Sequence, residues 1–332
     1  MYHIKRLQCP DCNRDKNERI NEILKQIDLW TVSDELRKLM EIFNADKNIL
    51  AENIKERLQS LVRFSEQWDY RRIQSESVTT RENEAARWLL KDDAFIEENK
   101  DLILSSADAL GLIDVTEPVY DSYDYILILG GARYSNLHRA REAAHIVKTK
   151  NISGSKIIGL GSMRPISESE RETVDTYALG ADTEFDAMEA GLKDAFDTGE
   201  VYKEDKYDDD NINLSWRIKY FKDNDNRNEI LLMAAPSLDA DRRANSADTY
   251  EFFFNHFRPE KGSRILICTS SIYIPYQHMK FFENDIRYDV QSDMIGTRTH
   301  LYTDAVLSKP VNYLQEIRAA IMAMADFTVK FA

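Results

Sequence analysis

The sequence has little cysteine: three residues in 332, of which Cys9 and Cys12 form a single Cys-x-x-Cys and Cys268 sits inside the apolar run RILICTS. That count excludes a disulfide framework and leaves Cys268 to be read as a buried strand residue. Cys9-Pro-Asp-Cys12 has the spacing of half a zinc knuckle, but no second Cys or His pair follows and His3 is the only nearby partner. An exposed, reduced pair at a helix start is the better reading, and no metal site is expected. Long apolar runs are missing too. Nothing approaches the roughly 18 to 20 residues that span a bilayer, and MYHIKRLQCPDCNRDKNERI lacks the uninterrupted apolar segment of a signal peptide. The expectation is a cytoplasmic protein without membrane contact.

Net positive charge is also absent: 44 Lys and Arg against 58 Asp and Glu give a formal charge of −14. The chain as a whole repels nucleic acid and anionic lipid, so any anion it binds must meet a locally positive site. Three chemical fingerprints are missing as well. Without G-x-G-x-x-G, hydride transfer has no support; without a Walker loop, neither does ordinary ATPase mechanics. Ser162 follows Gly161, but Gly-x-Ser-x-Gly is absent, and six histidines (His3, His138, His145, His256, His278, His300) show no spacing that identifies a catalytic partner. A serine hydrolase is therefore the weakest option.

What is present divides into two halves, and 43% hydrophobic residues suffice for a full core. Between residues 15 and 112, apolar side chains recur at three- and four-residue spacing: Ile20, Ile23, Leu24 and Ile27; Leu36, Leu39, Met40 and Phe43; Ile54, Leu58, Leu61 and Val62. Thr31 and Ser33 before Asp34 and Glu35, and Thr80 before RENEAARWLL, mark helix starts. Residues 1–117 are expected to form an all-helical segment. After Pro118 the pattern changes to short apolar runs, YDYILIL, SKIIGLG, EILLMAAP and SRILICTS, each followed by a helical stretch. Such alternation predicts a parallel sheet covered on both faces, an α/β three-layer Rossmann-like domain over residues 118–332. Residues 197–228, rich in Asp, Asn and Lys, read as an acidic insertion on the surface rather than a core element.

In an open parallel sheet, ligands bind beyond the carboxyl ends of the strands. The first strand ends in Gly130-Gly131-Ala132-Arg133, with Arg139 in the following helix. Two glycines let the backbone approach a ligand, and an arginine pairs bidentately with phosphate or carboxylate. The second ends in Gly159-Leu160-Gly161-Ser162, followed by Glu184 in TEFDAM at the start of a helix. Glu184 has a structural explanation in the helix dipole and a functional one as a ligand or catalytic carboxylate. After the third strand come Arg243, Asn245, Ser246 and Asp248, and the fourth ends in Thr269 and Ser270, with Tyr273 and Tyr276 beyond.

These stretches in this order resemble the YdcF/SanA/ElyC family of bacterial proteins: LILGGAR at 127–133, GLGS at 159–162, TEFDAM at 183–188, RRANSADT at 242–249 and ICTSSIYIPYQ at 267–277. The resemblance covers about residues 120–295. It implies a Rossmann-like fold and, from the soluble YdcF branch, a link to S-adenosylmethionine. Carried over position by position, it implies a ligand site at Gly130, Gly131, Arg133, Arg139, Gly161, Glu184, Arg243, Asn245, Ser246, Asp248, Thr269 and Ser270. The family's His and Arg after the last strand are Tyr273 and Tyr276 here, which puts in doubt any chemistry that depends on that His.

The expected function is binding of a small anionic, nucleotide-type ligand, S-adenosylmethionine or a phosphorylated compound, with Arg133 and Arg243 neutralising it. Glu184 or Asp248 would orient a ribose or act as general base, and any turnover would be group transfer or hydrolysis. The alternative is a metabolite sensor or scaffold whose N-terminal helices bind a protein partner or a second copy.

Overall fold

The structure is a computed structural model and describes residues 6–75, 86–225, 227–298 and 309–332. His3, His300 and the helix start expected at Thr80 lie outside the described residues. Two compact units divide the chain: a helical unit of Met1–Val115, Ser271–Ile286 and Arg298–Ala332, and an α/β unit of Thr116–Ser270 and Arg287–Thr297.

The helical unit begins with α1 (Lys16–Thr31), α2 (Asp34–Ile42), α3 (Ile54–Phe64), α4 (Tyr70–Ile73), α5 (Ala94–Glu98) and α6 (Lys100–Ala109). Their starts follow local chemistry: the side chains of Asp15, Ser33 and Asn53 accept from the amides of Asn17, Leu36 and Glu56, satisfying donors that the first helical turn leaves open. Cys9 and Cys12, expected to be exposed, are buried. The correction has a tertiary cause. The fully buried Arg19 guanidinium lies 3.9 Å from Cys9 Sγ and donates to the Asp285 carbonyl at 3.0 Å, within the same unit.

The α/β unit runs β1 (Tyr125–Leu129), α7 (Ser135–Thr149), β2 (Lys156–Gly161), α8 (Glu168–Val174), α9 (Glu184–Phe196), β3 (Val201–Tyr207), β4 (Trp216–Phe221), β5 (Glu229–Ala234), α10 (Ser246–Phe257), β6 (Arg264–Ser270) and β7 (Gln291–Thr297), while α11 (Ile274–Tyr288), which follows β6 in the chain, belongs to the helical unit as far as Ile286. The seven-stranded sheet has the order β3-β4-β5-β2-β1-β6-β7. Strands β5, β2, β1, β6 and β7 are parallel, with Ile126 opposite both Ile157 and Leu266. Alternation along the strands sends Ile126, Ile128, Ile157, Leu266 and Cys268 into one core with Ala140, Ala143, Met188 and Leu192 of α7 and α9. Tyr125 points to the other face, where its ring meets Phe253 of α10 edge-on at 5.3 Å. Helices therefore flank the sheet on both faces, a Rossmann-like three-layer fold.

Two parts of this unit differ from expectation. Residues 197–228 are not a solvated excursion: they form the hairpin β3–β4, which extends the sheet antiparallel to β5. Ile218 and Phe221 of β4 are buried while β3, an edge strand, buries none of its seven residues and exposes five, so the polar composition of an edge reads like that of a loop. Strand β7, QSDMIGT, escapes the apolar-run pattern because polar residues interrupt it. It is buried throughout, and its Asp293 accepts hydrogen bonds from Tyr123 Oη and the Val119 amide.

The chain ends in α12 (Pro310–Phe331). Val311, Leu314, Ile317, Ile321, Met324 and Phe327 join one core with Ile23 and Ile27 of α1, Leu58 and Leu61 of α3, Ile103 of α6, and Met279 and Phe282 of α11. The boundary expected at residue 117 falls close to the division at 115, but α12 belongs to the helical unit rather than to the α/β domain. An apolar helical stripe can cover a sheet or a bundle, and its periodicity does not say which. Among the described residues no helix is long and apolar enough to cross a membrane, and no group of three or more His, Cys, Asp or Glu could hold a metal ion.

Candidate functional site

Strand order reverses between β1 and β6: the chain leaves β1 toward β2 on one side, and leaves β6 toward β7 on the other. The carboxyl ends of these neighbours define the crevice where doubly wound sheets take their ligands. At the end of β1, a Cβ on Gly130 would stand 2.3 Å from the Leu160 carbonyl oxygen and 2.3 Å from Glu184 Oε1, so only glycine fits. A Cβ on Gly131 would meet Ser135 Cβ at 2.8 Å. Next comes Ala132, partly open to solvent, and then Arg133 with φ of 54°, in the left-handed region. Of the seven described non-glycine residues with positive φ, five are Asn or Asp and Arg258 is a helix C-cap, leaving Arg133 alone as a basic residue bent this way in a strand-end turn.

The polar groups of the turn are heavily engaged. The Gly131 amide donates to Asn136 Oδ1 at 3.0 Å, and the Arg133 amide to Glu170 Oε1 at 3.4 Å. Tyr177 Oη donates to the Arg133 carbonyl at 2.7 Å. Arg139 is buried and works inside the protein: its Nη1 donates to the carbonyls of Leu129 (2.8 Å) and Gly130 (2.5 Å), and its Nε to Ser270 Oγ (3.2 Å). Arg139 and Ser270 thus tie the ends of β1 and β6 together. Thr269, one residue earlier, points to the opposite face, and its buried Oγ1 has no hydrogen-bond partner. A buried hydroxyl without a partner is uncommon enough to ask for one.

Beyond β2, Gly161 is buried and Ser162 is partly open, its carbonyl accepting from the Phe185 amide. Glu184, at the first position of α9, faces Gly130 with Oε1 and accepts from Arg164 Nε through Oε2 at 3.1 Å. Arg164 also pairs bidentately with the buried Glu170, at 2.6 and 2.9 Å. Burial alone would raise the Glu170 pKa, but the Arg164 guanidinium and Ser167 outweigh it and hold the carboxyl below its ordinary range. Sequence reasoning misses Arg164, Glu170 and Tyr177. Of these, only Arg164, three residues past a strand-end glycine, carries a visible signal.

The third group lies at the start of α10. Asn245 is the N-cap and its side chain accepts from the amides of Ala247 and Asp248, while Asp248 accepts from the Asn245 amide at 2.8 Å, a reciprocal capping box. Burial pushes Asp248 up, and the Arg242 guanidinium and the Asn245 amide more than reverse it, leaving the carboxyl below its usual range. Ser246 and Arg243 are exposed. Tyr273 and Tyr276 are in the helical unit, half-buried against its core, with the Arg87 guanidinium 5.3 Å above the Tyr273 ring.

By fold, this is a Rossmann-like α/β protein with a helical unit built from three separate stretches of the chain. The family model described as the Rv3785 N-terminal domain matches residues 14–111, the stretch that carries α1 to α6. The chain is similar to the uncharacterized protein Rv3785 of Mycobacterium tuberculosis (strain ATCC 25618 / H37Rv), 29% identical over 333 residues that cover 95% of this chain and 92% of the relative. The uncharacterized protein Mb3814 of Mycobacterium bovis is similar to the same extent, 29% over 95% of this chain and 92% of its own. No solved structure matches the chain.

Proposed function

We propose that the α/β unit binds a small anionic, nucleotide-type ligand, a nucleotide or S-adenosylmethionine, at the carboxyl ends of β1 and β6. The observation that carries this reading is the reversal of strand order at those two strands, with the Gly130–Arg133 turn at one end and Thr269 and Ser270 at the other. Close approach at Gly130, the strained Arg133 and the unpartnered Thr269 Oγ1 all lie there. Because the Gly131 and Arg133 amides are occupied by side chains, recognition of the anion rests on the Arg133 guanidinium, and Glu184 Oε1 supplies an acceptor for a ligand hydroxyl.

Binding without turnover is the second reading, that of a metabolite sensor. It is favoured by one observation: the two carboxylates suited to act as a base, Glu184 and Asp248, are each tied to an arginine, Arg164 and Arg242. A thermal-shift screen with nucleotides, S-adenosylmethionine, sugar nucleotides and inorganic phosphate tests both, since a ligand of the native state raises the midpoint by mass action. A shift that Arg133→Ala abolishes supports the strand-end site. Turnover of the stabilising compound would decide against the sensor, and no shift from any compound would refute ligand binding of this class.

A further inference from the structure

The Arg133 turn is held from outside, and the two residues that hold it belong to neither strand end. Glu170, in α8, accepts the Arg133 amide at 3.4 Å, and Tyr177, three residues past α8, donates to the Arg133 carbonyl at 2.7 Å. Both polar groups of one strained residue are therefore gripped by side chains from a single neighbouring segment. Backbone in a sparsely populated region persists only where the surroundings over-determine it.

The grips are themselves anchored. Glu170 is 1% exposed, paired bidentately with Arg164, and hydrogen-bonded by the Ser167 amide (3.2 Å) and hydroxyl (2.6 Å) at the start of α8. Its carboxylate thus serves the capping box of its own helix, the Arg164 guanidinium and the Arg133 amide at once. Tyr177 stands against Tyr134, ring centres 6.2 Å apart. Burial raises the pKa of its phenol, so it remains a donor across the physiological range. The Tyr177 ring also packs beside Ile166, Val174 and Ala187, but neither that packing nor a plain helix cap needs a polar group to reach the neighbouring turn.

We propose that Glu170 and Tyr177 are positioning residues of the strand-end site, a two-point clamp that fixes Arg133 in its left-handed conformation so that its side chain leaves the turn along one Cα–Cβ direction. The proposal rests on the strand-end reading for what Arg133 does, and on its own geometry for how Arg133 is held. A ligand engaging Arg133 then avoids the entropic loss of ordering the backbone of its turn, so the clamp raises affinity without touching the ligand.

The test uses the full chain with Tyr177→Phe, Glu170→Gln and Arg133→Gly. The first readout needs no ligand: amide hydrogen exchange in the segment 130–134. Tyr177→Phe and Glu170→Gln are each expected to speed exchange there while leaving the amides of β1 and β2 as in the wild type. Unchanged exchange in Tyr177→Phe, which removes one oxygen and keeps the ring, overturns the clamp even if Glu170→Gln is too unstable to use. The second readout is the affinity for adenosine monophosphate and for inorganic phosphate. Loss of one hydrogen bond predicts a weakening of about threefold to tenfold in Tyr177→Phe, and Arg133→Gly, which keeps the held backbone but carries no guanidinium, is expected to bind neither probe. Wild-type affinity in Tyr177→Phe overturns the proposal. If the wild type binds neither probe while exchange responds as expected, the ligand reading fails and the clamp stands as a device of the fold.

Discussion

At the residue scale, two backbone positions, Gly130 and Arg133, shape the turn that ends β1. Gly130 has no room for a methyl group, since one of the atoms 2.3 Å from where its Cβ would sit is the backbone oxygen of Leu160, which cannot swing away. Gly130→Ala is expected to cost about 1–3 kcal/mol, the usual range for overpacking. Chemical denaturation measures this directly, and a wild-type midpoint would contradict the close approach. Arg133 is the reverse case. A left-handed conformation costs an L-residue roughly 1–2 kcal/mol that glycine does not incur, so Arg133→Gly should unfold at or above the wild-type temperature while losing any nucleotide-dependent shift. A variant both unstable and ligand-competent would mean that the side chain is structural.

At the element scale, helix starts do double duty. The capping boxes of α8 and α10 place Glu170 and Asp248 at the third helical position, and each carboxylate then reaches an arginine outside its helix, Arg164 and Arg242. Both carboxyls are held below their ordinary values of 4.5 and 3.8. A carboxyl more acidic in the folded state binds fewer protons folded than unfolded, so stability rises with pH through this window. The contribution is complete above the unfolded values and is lost as pH falls through and below them. Melting temperature should therefore drop steeply below about pH 4.5, and Glu170→Gln should flatten that slope. An acid limb as steep in the variant as in the wild type would show that other carboxylates set it. Asp248→Asn, which weakens one cap and one ion pair, should cost about 1–2 kcal/mol, readable as a shift in the urea midpoint.

At the scale of the whole molecule, the helical unit is assembled from distant parts of the chain. Residues 1–115 supply α1 to α6, but Met279, Phe282 and the apolar stripe of α12 complete their core. Expressed alone, residues 1–115 are expected to lack a cooperative thermal transition and to bind a hydrophobic dye, because the surface that α12 covers would be bare. A sharp two-state melt of that fragment would show that the N-terminal helices carry a sufficient core of their own.

Local pattern is enough for the class of fold. The runs at YILIL, KIIGLG, EILLMA and RILICTS form β1, β2, β5 and β6, because a strand buried on both faces must be apolar along its length. The same logic conceals what polarity interrupts: β7, with its buried Asp293, and the edge hairpin β3–β4. Strand ends are legible too, since glycines and arginines after an apolar run are local signals, so Gly130, Arg133 and Glu184 stand out from spacing alone. Their partners do not. That Arg139 spans to Ser270, that Arg164 joins Glu170 to Glu184, and that Tyr177 reaches the Arg133 carbonyl depend on side chains from separate elements meeting in space. The sequence by itself determined the Rossmann-like layers and the glycine and arginine turns at the strand ends, because hydrophobic period and turn chemistry are properties of neighbours along the chain. Only the tertiary structure decided which charges are already spent on one another and where α12 packs, because both are contacts between residues that the chain keeps far apart.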